Sequence, residues 1–365
     1  MQSNKKIYLI LQYSGPPSGA EKRFLNIWKK LLHQKKSIFI ITHKKTINYF
    51  NFSSTEKDFI ITYDTKKLTY LHQFYSVFKI RKKIEKNSVI HFVNTYYPFI
   101  SFIRQSHFII SWLQAFDYLS FNNVKLRQIF LYLIGFLFSR YIDVLNPSKY
   151  FKLKKLFFFK KIFNTPLSVN IDGEIFKPDS KNNSIVFLGR FEKHKGINLL
   201  LNSLVYLEKK LTKKMKNKKI NIFILGDGIE KNIVNEFVKK ADFQNINIHS
   251  FYTKEPFKYL NSAKIFLSLQ QSCNYPSRSL VEAMYSGCMP IITDGGDSKL
   301  MADENKVFFI DKNIMPQKLS DIILKILLYD DKKLYKLSMG IRHDAISLYD
   351  NQKQFNYFSD IYSKK

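Results

Sequence analysis

One stretch constrains the fold more than any other: SLQQSCNYPSRSLVEAMYSGCMPIITDGG, residues 268–296. Ala263–Ser268, which runs into it, is an apolar run with the length of a short buried strand. Residues 277–285 place Leu280, Ala283 and Met284 on one helical face, behind Ser277 as a good N-cap. Gly287 supplies the left-handed residue that ends such a helix, and Met289–Thr293 is the next buried strand. Strand, loop, helix and strand within about thirty residues make a βαβ unit, which implies a parallel sheet. Ligands of parallel sheets sit at the strand carboxyl ends, where a helix N-terminus offers free N–H groups to an anion. Glu282 falls on the second turn of this helix. It either accepts hydrogen bonds from ligand hydroxyls or, as pattern alone favours, is a solvated helix glutamate.

A second element stands out at 189–196, GRFEKHKG, between an apolar run at 184–188 and a helix carrying Leu199, Leu200 and Leu204. Arg190 and Lys195 flank this strand-to-helix turn, a fork of donors and a point charge that together suit a diphosphate. Composition alone would make them solvated loop charges. The N-terminal half reads as a series of βα units. Ile7–Leu11 is a first strand and 21–32 a helix with Phe24, Ile27, Trp28 and Leu31 on one face. Further strands fall at 36–42, 59–63, 88–93 and 107–112. Between the first strand and helix, Gly19 leaves room for a backbone approach to a phosphate or hydroxyl, or merely for a connector. Residues 129–138 are the most apolar run, yet well short of the ~20 needed to span a bilayer, so a buried helix is expected. Residues 150–163 interleave aromatics with lysines and contain no acid, which suits an anionic membrane interface. A core-facing helix with a solvated lysine face is the alternative.

The formal charge of +30 implies an anionic partner: nucleic acid, an acidic membrane surface or a phosphorylated substrate. Part of it is compositional bias, because lysine is abundant along with Phe, Tyr, Ile and Asn. The seven lysines of 207–219 lack interleaved aromatics or an RNA-binding motif, so no specific nucleic acid is expected. Cys273 and Cys288 provide neither a disulfide framework nor a CxxC metal spacing, and a reducing, cytoplasmic setting is expected.

VEAMYSGCMPIITDGG resembles the donor-sugar signature of the family-four glycosyltransferases, retaining enzymes of the GT-B fold. Glu282 matches the second of that family's two glutamates, and Asn274 stands where the first would be. Arg190 and Lys195 resemble its GRxxxxKG element, which holds the donor diphosphate as leaving group. Gly226 lies in a turn similar to its GxGP, and residues 246–252 resemble the strand and loop that wrap the nucleotide base. Ser18-Gly19-Ala20-Glu21 is similar to the family's GGxE loop. Gln114-Ala-Phe-Asp117 resembles its HGxD corner with Gln114 in place of histidine, which leaves Asp117 to handle the acceptor hydroxyl or simply to cap a helix.

The resemblance implies an α/β chain of two Rossmann-like domains facing a cleft. Its expected parts are an acceptor-side domain at 1–170, a linker at 171–183, a nucleotide-sugar domain at 184–345, and a last helix at 346–365 that returns to the first domain, with Phe355, Tyr357 and Phe358 docking there. It implies a hexosyl transfer from an NDP-sugar to a glycan hydroxyl, with Arg190, Lys195 and Asp117 catalytic. Donor binding would fall to Gly19, Gly189, Gly226, Tyr252, Asn274, Tyr275, Pro276, Ser277, Ser279, Leu280 and Glu282. No DxD motif occurs, so no metal or other cofactor is expected. A lipid-linked oligosaccharide at the inner face of the cytoplasmic membrane, as in surface-polysaccharide assembly, is the expected acceptor. A sugar-nucleotide-binding relative without transferase activity, a GT-B epimerase and a basic nucleic-acid binder are the alternatives.

Overall fold

The computed structural model describes residues 5–11, 19–64, 80–93, 107–112, 139–168, 181–214, 219–271 and 275–363. The chain divides into two compact units, Met1–Asn170 with Asn351–Lys365 and Ile171–Asp350.

The first unit is built on seven parallel strands: β1 (Ile7–Leu11), β2 (Ile38–His43), β3 (Ile60–Tyr63), β4 (Val89–Phe92), β5 (His107–Trp112), β6 (Tyr141–Val144) and β7 (Lys161–Asn164). Their order is β3-β2-β1-β4-β5-β6-β7, the doubly wound order extended by one edge strand. Helix α1 (Gly19–His33) packs on one face with its apolar stripe, Phe24, Leu25, Trp28 and Leu31, against Leu9, Leu11 and Val89. The short helices α2 (Lys44–Ile47) and α3 (Ser54–Lys57) follow β2, and α4 (Pro147–Leu156) joins β6 to β7. The run at 129–138 lies outside the described residues.

The second unit has six parallel strands: β8 (Asn182–Leu188), β9 (Ile220–Leu225), β10 (Ile246–Phe251), β11 (Ala263–Ser268), β12 (Met289–Thr293) and β13 (Phe308–Ile310). The order β10-β9-β8-β11-β12-β13 repeats the doubly wound arrangement, with the switch point between β8 and β11. Long apolar strands buried on both faces are what an all-parallel sheet requires, and β11 and β12 are buried throughout. Helices α5 (Ile197–Lys214), α6 (Lys231–Lys240), α7 (Phe257–Leu260), α8 (Arg278–Tyr285), α9 (Pro316–Leu327) and α10 (Asp331–Leu348) complete this unit. Lys181 is half-buried and donates to Leu260 O at 3.1 Å and Ser286 O at 2.6 Å, where its ammonium complements the carboxyl ends of α7 and α8.

Beyond Asp311 there are three helices. Pro316 and Asp330 each open a new one, the latter capping α10 through Lys333 N at 2.7 Å. The third, α11 (Asn351–Ser363), belongs to the first unit, where Phe355, Phe358 and Tyr362 pack against Phe24 and β4.

Candidate active site

The switch point is where an open parallel sheet leaves a crevice, and in the second unit the loops after β8 and β11 border it. The loop after β8 is held by main-chain bonds rather than by side chains. Gly189 N donates to Leu225 O at 3.0 Å, Phe191 N to Asp227 O at 2.9 Å, and Gln271 N to His194 O at 2.9 Å. Such close contact requires glycine. A Cβ on Gly226 would stand 1.9 Å from the Gly189 carbonyl oxygen, and one on Gly196, at φ 79°, 2.4 Å from the Leu269 carbonyl oxygen.

On this frame Lys195 and Arg190 differ. Lys195 is partly buried and its Nζ donates to Gln270 Oε1, two residues beyond the end of β11. Burial, reinforced by the nearby Arg190, draws its ammonium below the ordinary lysine range, and Glu192 opposes the shift. Arg190 is 72% exposed along its side chain and rests on Glu192 Oε1 at 2.7 Å. The other Glu192 oxygen lies 3.3 Å from His194 Nε2. An exposed pair of this kind contributes only about 0–1 kcal/mol, so Arg190 is free to turn to a stronger anion.

Helix α8 begins on the other side of the switch point. Ser277 Oγ accepts from Leu280 N at 3.3 Å, as an N-cap should. Tyr275 and Pro276, joined by a cis peptide bond, are half-buried just ahead of it, as is Ser279 within the first turn. Leu280 puts its side chain into the core and spends its N–H on the cap, so only the first-turn main chain remains for a ligand. Asn274 lies outside the described residues. Glu282 is not the solvated helix glutamate that pattern favoured. It is 6% exposed, and Arg278 Nε donates to its Oε1 at 2.7 Å across one helical turn. Burying a carboxylate requires such a partner, and one of its oxygens is thereby fixed. Tyr252, at the end of β10, is 64% exposed.

Sequence reasoning missed Arg278, Glu192 and Gln270. The signal for Arg278 was present, since a cation four residues before Glu282 on a helix must meet it. Gln270 depends on which loops the fold brings together, and no spacing reveals that; Glu192 shares a loop with its partners Arg190 and His194, and its pairing rests on how that loop turns.

In the first unit, Gly19 is the first residue of α1, while Gln114 and Asp117 lie outside the described residues. This unit holds a buried polar cluster that sequence reasoning did not foresee. Asp143 on β6 accepts from Tyr357 Oη at 2.5 Å and from Thr165 Oγ1. His91 on β4 shares a 2.6 Å hydrogen bond with Tyr362 Oη. Desolvation, helped by Arg23, pushes His91 down to about 3, and burial lowers Arg23 itself to about 10 against the pull of Asp143.

Residues 170–339 match the family model described as Glycosyl transferases group 1. The chain carries a group 1 glycosyltransferase domain. Solved structures support the fold along its whole length. HepE (Alr3699) of Anabaena, in complex with UDP, superposes with a TM-score of 0.74 at 14% identity over 98% of this chain and 99% of that one. WaaG, a glycosyltransferase involved in lipopolysaccharide biosynthesis, gives 0.72 at 14% over 98% and 100%. A point mutant of S. aureus TarM, in complex with Fondaparinux, alpha-GlcNAc-glycerol and UDP, gives 0.70 at 12% over 99% and 100%. No curated protein matches the chain. This glycosyltransferase therefore has the GT-B fold, an α/β architecture of two Rossmann-like units. Among the described residues no cluster of three or more His, Cys, Asp or Glu side chains could hold a metal ion. Among them, too, no helix is long and apolar enough to cross a membrane.

Proposed function

We propose that this glycosyltransferase moves a hexosyl group from an NDP-sugar to a hydroxyl of a glycan, with retention of anomeric configuration. The observation that carries the proposal is the placing of Lys195 beside Gln270 at the switch point of the second sheet, with Arg190 on the same loop. A diphosphate there would meet one partly desolvated ammonium, one exposed guanidinium and the N-terminal turn of α8. As the bond from the anomeric carbon to the diphosphate oxygen breaks, its electron pair passes to the diphosphate. The acceptor oxygen then bonds the anomeric carbon on the same face and passes its proton to the departing diphosphate oxygen. Arg190 and Lys195 stabilise the charge that develops on the leaving group. These cations, rather than a metal ion, are assigned that task.

Glu282 is assigned to the ribose hydroxyls, and the exposed ring of Tyr252 offers a face to the base. Asn274, Tyr275, Pro276, Ser277 and the Ser279–Leu280 main chain are assigned to the sugar and phosphates, with Gly189 and Gly226 permitting close approach of the backbone. By resemblance, Gly19 is assigned to the donor and Asp117 to the acceptor hydroxyl. We take the acceptor to be a lipid-linked oligosaccharide of surface-polysaccharide biosynthesis, met on the cytoplasmic side of the membrane. UDP in the HepE and TarM complexes supports a nucleotide-sugar donor, and the lipopolysaccharide role of WaaG supports this choice of acceptor.

The test is transfer of isotope from labelled NDP-sugars to lipid-extracted glycans, with the new linkage read by NMR. The proposal predicts a labelled glycan that keeps the donor configuration. A free epimerised sugar with no glycan product would instead make the chain an epimerase, and saturable binding with no turnover a non-catalytic relative.

A further inference from the structure

The segment that closes the first sheet has a surface its fold does not require. Helix α4 is held by Leu153 and by Phe157 just beyond its end, which pack on Ile142, Val144 and Ile162. The chain then turns through 157–160 and enters β7. At this turn Phe158 is 84% exposed and Phe159 58%, and along α4 Phe151 and Leu156 are exposed as well. Around these groups stand Lys152, Lys154, Lys155 and Lys161, all exposed. From 139 to 168 the only acid is Asp143, which is fully buried, so no carboxylate of this segment offsets its surface cations. Large exposed apolar groups in a soluble domain mark an interaction site, and these are ringed by one sign of charge. The rings of Phe158 and Phe159 meet edge to face at 89°, which leaves no stacked platform for nucleic-acid bases.

We infer that the 151–161 turn inserts Phe158 and Phe159 into an anionic lipid bilayer while the surrounding lysines meet its headgroups. Aromatic rings reach the boundary between headgroups and acyl chains, and juxtaposed ammonium groups add an electrostatic component that neither group supplies alone. This differs from an amphipathic helix lying in the plane: the apex of the turn enters, and α4 stands behind it on the sheet. Lys160 Nζ donates to Ser139 O at 3.0 Å, just ahead of β6. The apex therefore sits at the edge where β6 and β7 begin, away from the carboxyl ends where parallel sheets bind ligands. Docking is thus separable from donor binding, and the inference stands independently of the transfer chemistry.

The experiment is sedimentation of the full chain with vesicles of phosphatidylcholine alone and of phosphatidylcholine mixed with phosphatidylglycerol. Partitioning should rise at least tenfold on adding the anionic lipid and fall back in high salt. Phe158→Ser with Phe159→Ser should lower it about tenfold or more. Lys154→Gln with Lys155→Gln should lower it about thirty-fold, at roughly a factor of five per lysine. All four side chains are solvent-exposed, so melting temperatures and any thermal shift caused by NDP-sugars should be unchanged in both variants. Equal binding to neutral and anionic vesicles would overturn the inference, as would variants that partition like the wild type. Two further results would also overturn it: a dimer that only the phenylalanine variant abolishes, with vesicle binding intact, or RNA displacing the protein from vesicles through the same lysines.

Discussion

The two units share a strand order but treat polar groups in opposite ways. In the second, the groups assigned to chemistry stand in loops beyond the strand ends, fixed by main-chain hydrogen bonds and by glycines such as Gly226. In the first, charged and hydroxyl side chains are drawn inside, where Asp143, Tyr357, His91 and Tyr362 join β4 and β6 to the C-terminal helix. The contrast teaches that a rigid loop frame leaves its cations available to a ligand, whereas a buried network spends its groups on holding distant parts of the chain together.

If that division is right, the largest effect falls on catalysis in the second unit. Lys195→Ala and Arg190→Ala should each lower turnover by about two orders of magnitude or more, the loss expected for one preorganised contact to a leaving group. Steady-state kinetics with the cognate donor measures this, and near-wild-type rates in both variants would remove the diphosphate assignment. Next comes the frame itself. Gly226→Ala forces a Cβ against the Gly189 carbonyl and should cost about 3 kcal/mol in denaturant unfolding. A smaller loss would mean that the loop adapts and is not the rigid support described.

The first unit should respond through stability. Tyr357→Phe deprives the buried Asp143 carboxylate of a donor and should cost about 2 kcal/mol. His91 sharpens the point through pH. Its folded pKa of about 3 lies below the ordinary 6.5, so between these values the unfolded chain binds the extra proton. Stability contributed by the neutral imidazole is complete above pH 6.5 and declines as the pH falls towards 3. The slope approaches about 1.4 kcal/mol per pH unit well below 6.5. His43 is shifted in the same direction by burial, so the informative quantity is the difference between wild type and His91→Gln. Urea titrations at pH 6.5 and 5 should show a shallower dependence in the variant. Parallel dependences would mean that His91 is not held neutral.

Much of the second unit was legible in the sequence, because its determinants are local. Ser277, Gly287 and the apolar runs on either side define the βαβ unit within one short stretch, and the glycine-bounded loop of Arg190 and Lys195 follows directly from a strand. What was not legible there is pairing between loops, such as Lys195 with Gln270. For Glu282 pattern alone points the wrong way: it gives a helical carboxylate to solvent, whereas α8 is covered on nearly every side and Arg278 supplies the counter-charge. The cluster in the first unit was invisible. Arg23, Asp143 and Tyr357 are separated by most of the chain, and only the return of the last helix brings them together.

The most direct test of the central claim, that the strand-end loops of the second unit bind a nucleoside diphosphate sugar, is a thermal-shift screen of the full chain. UDP, GDP, CDP and ADP sugars would be compared at low and moderate salt. A ligand that binds only the native state raises the melting temperature according to its affinity. The account predicts a shift with one nucleotide that survives moderate salt and is lost in Lys195→Ala. No shift with any of them, alongside a large salt-sensitive shift with RNA, would contradict it.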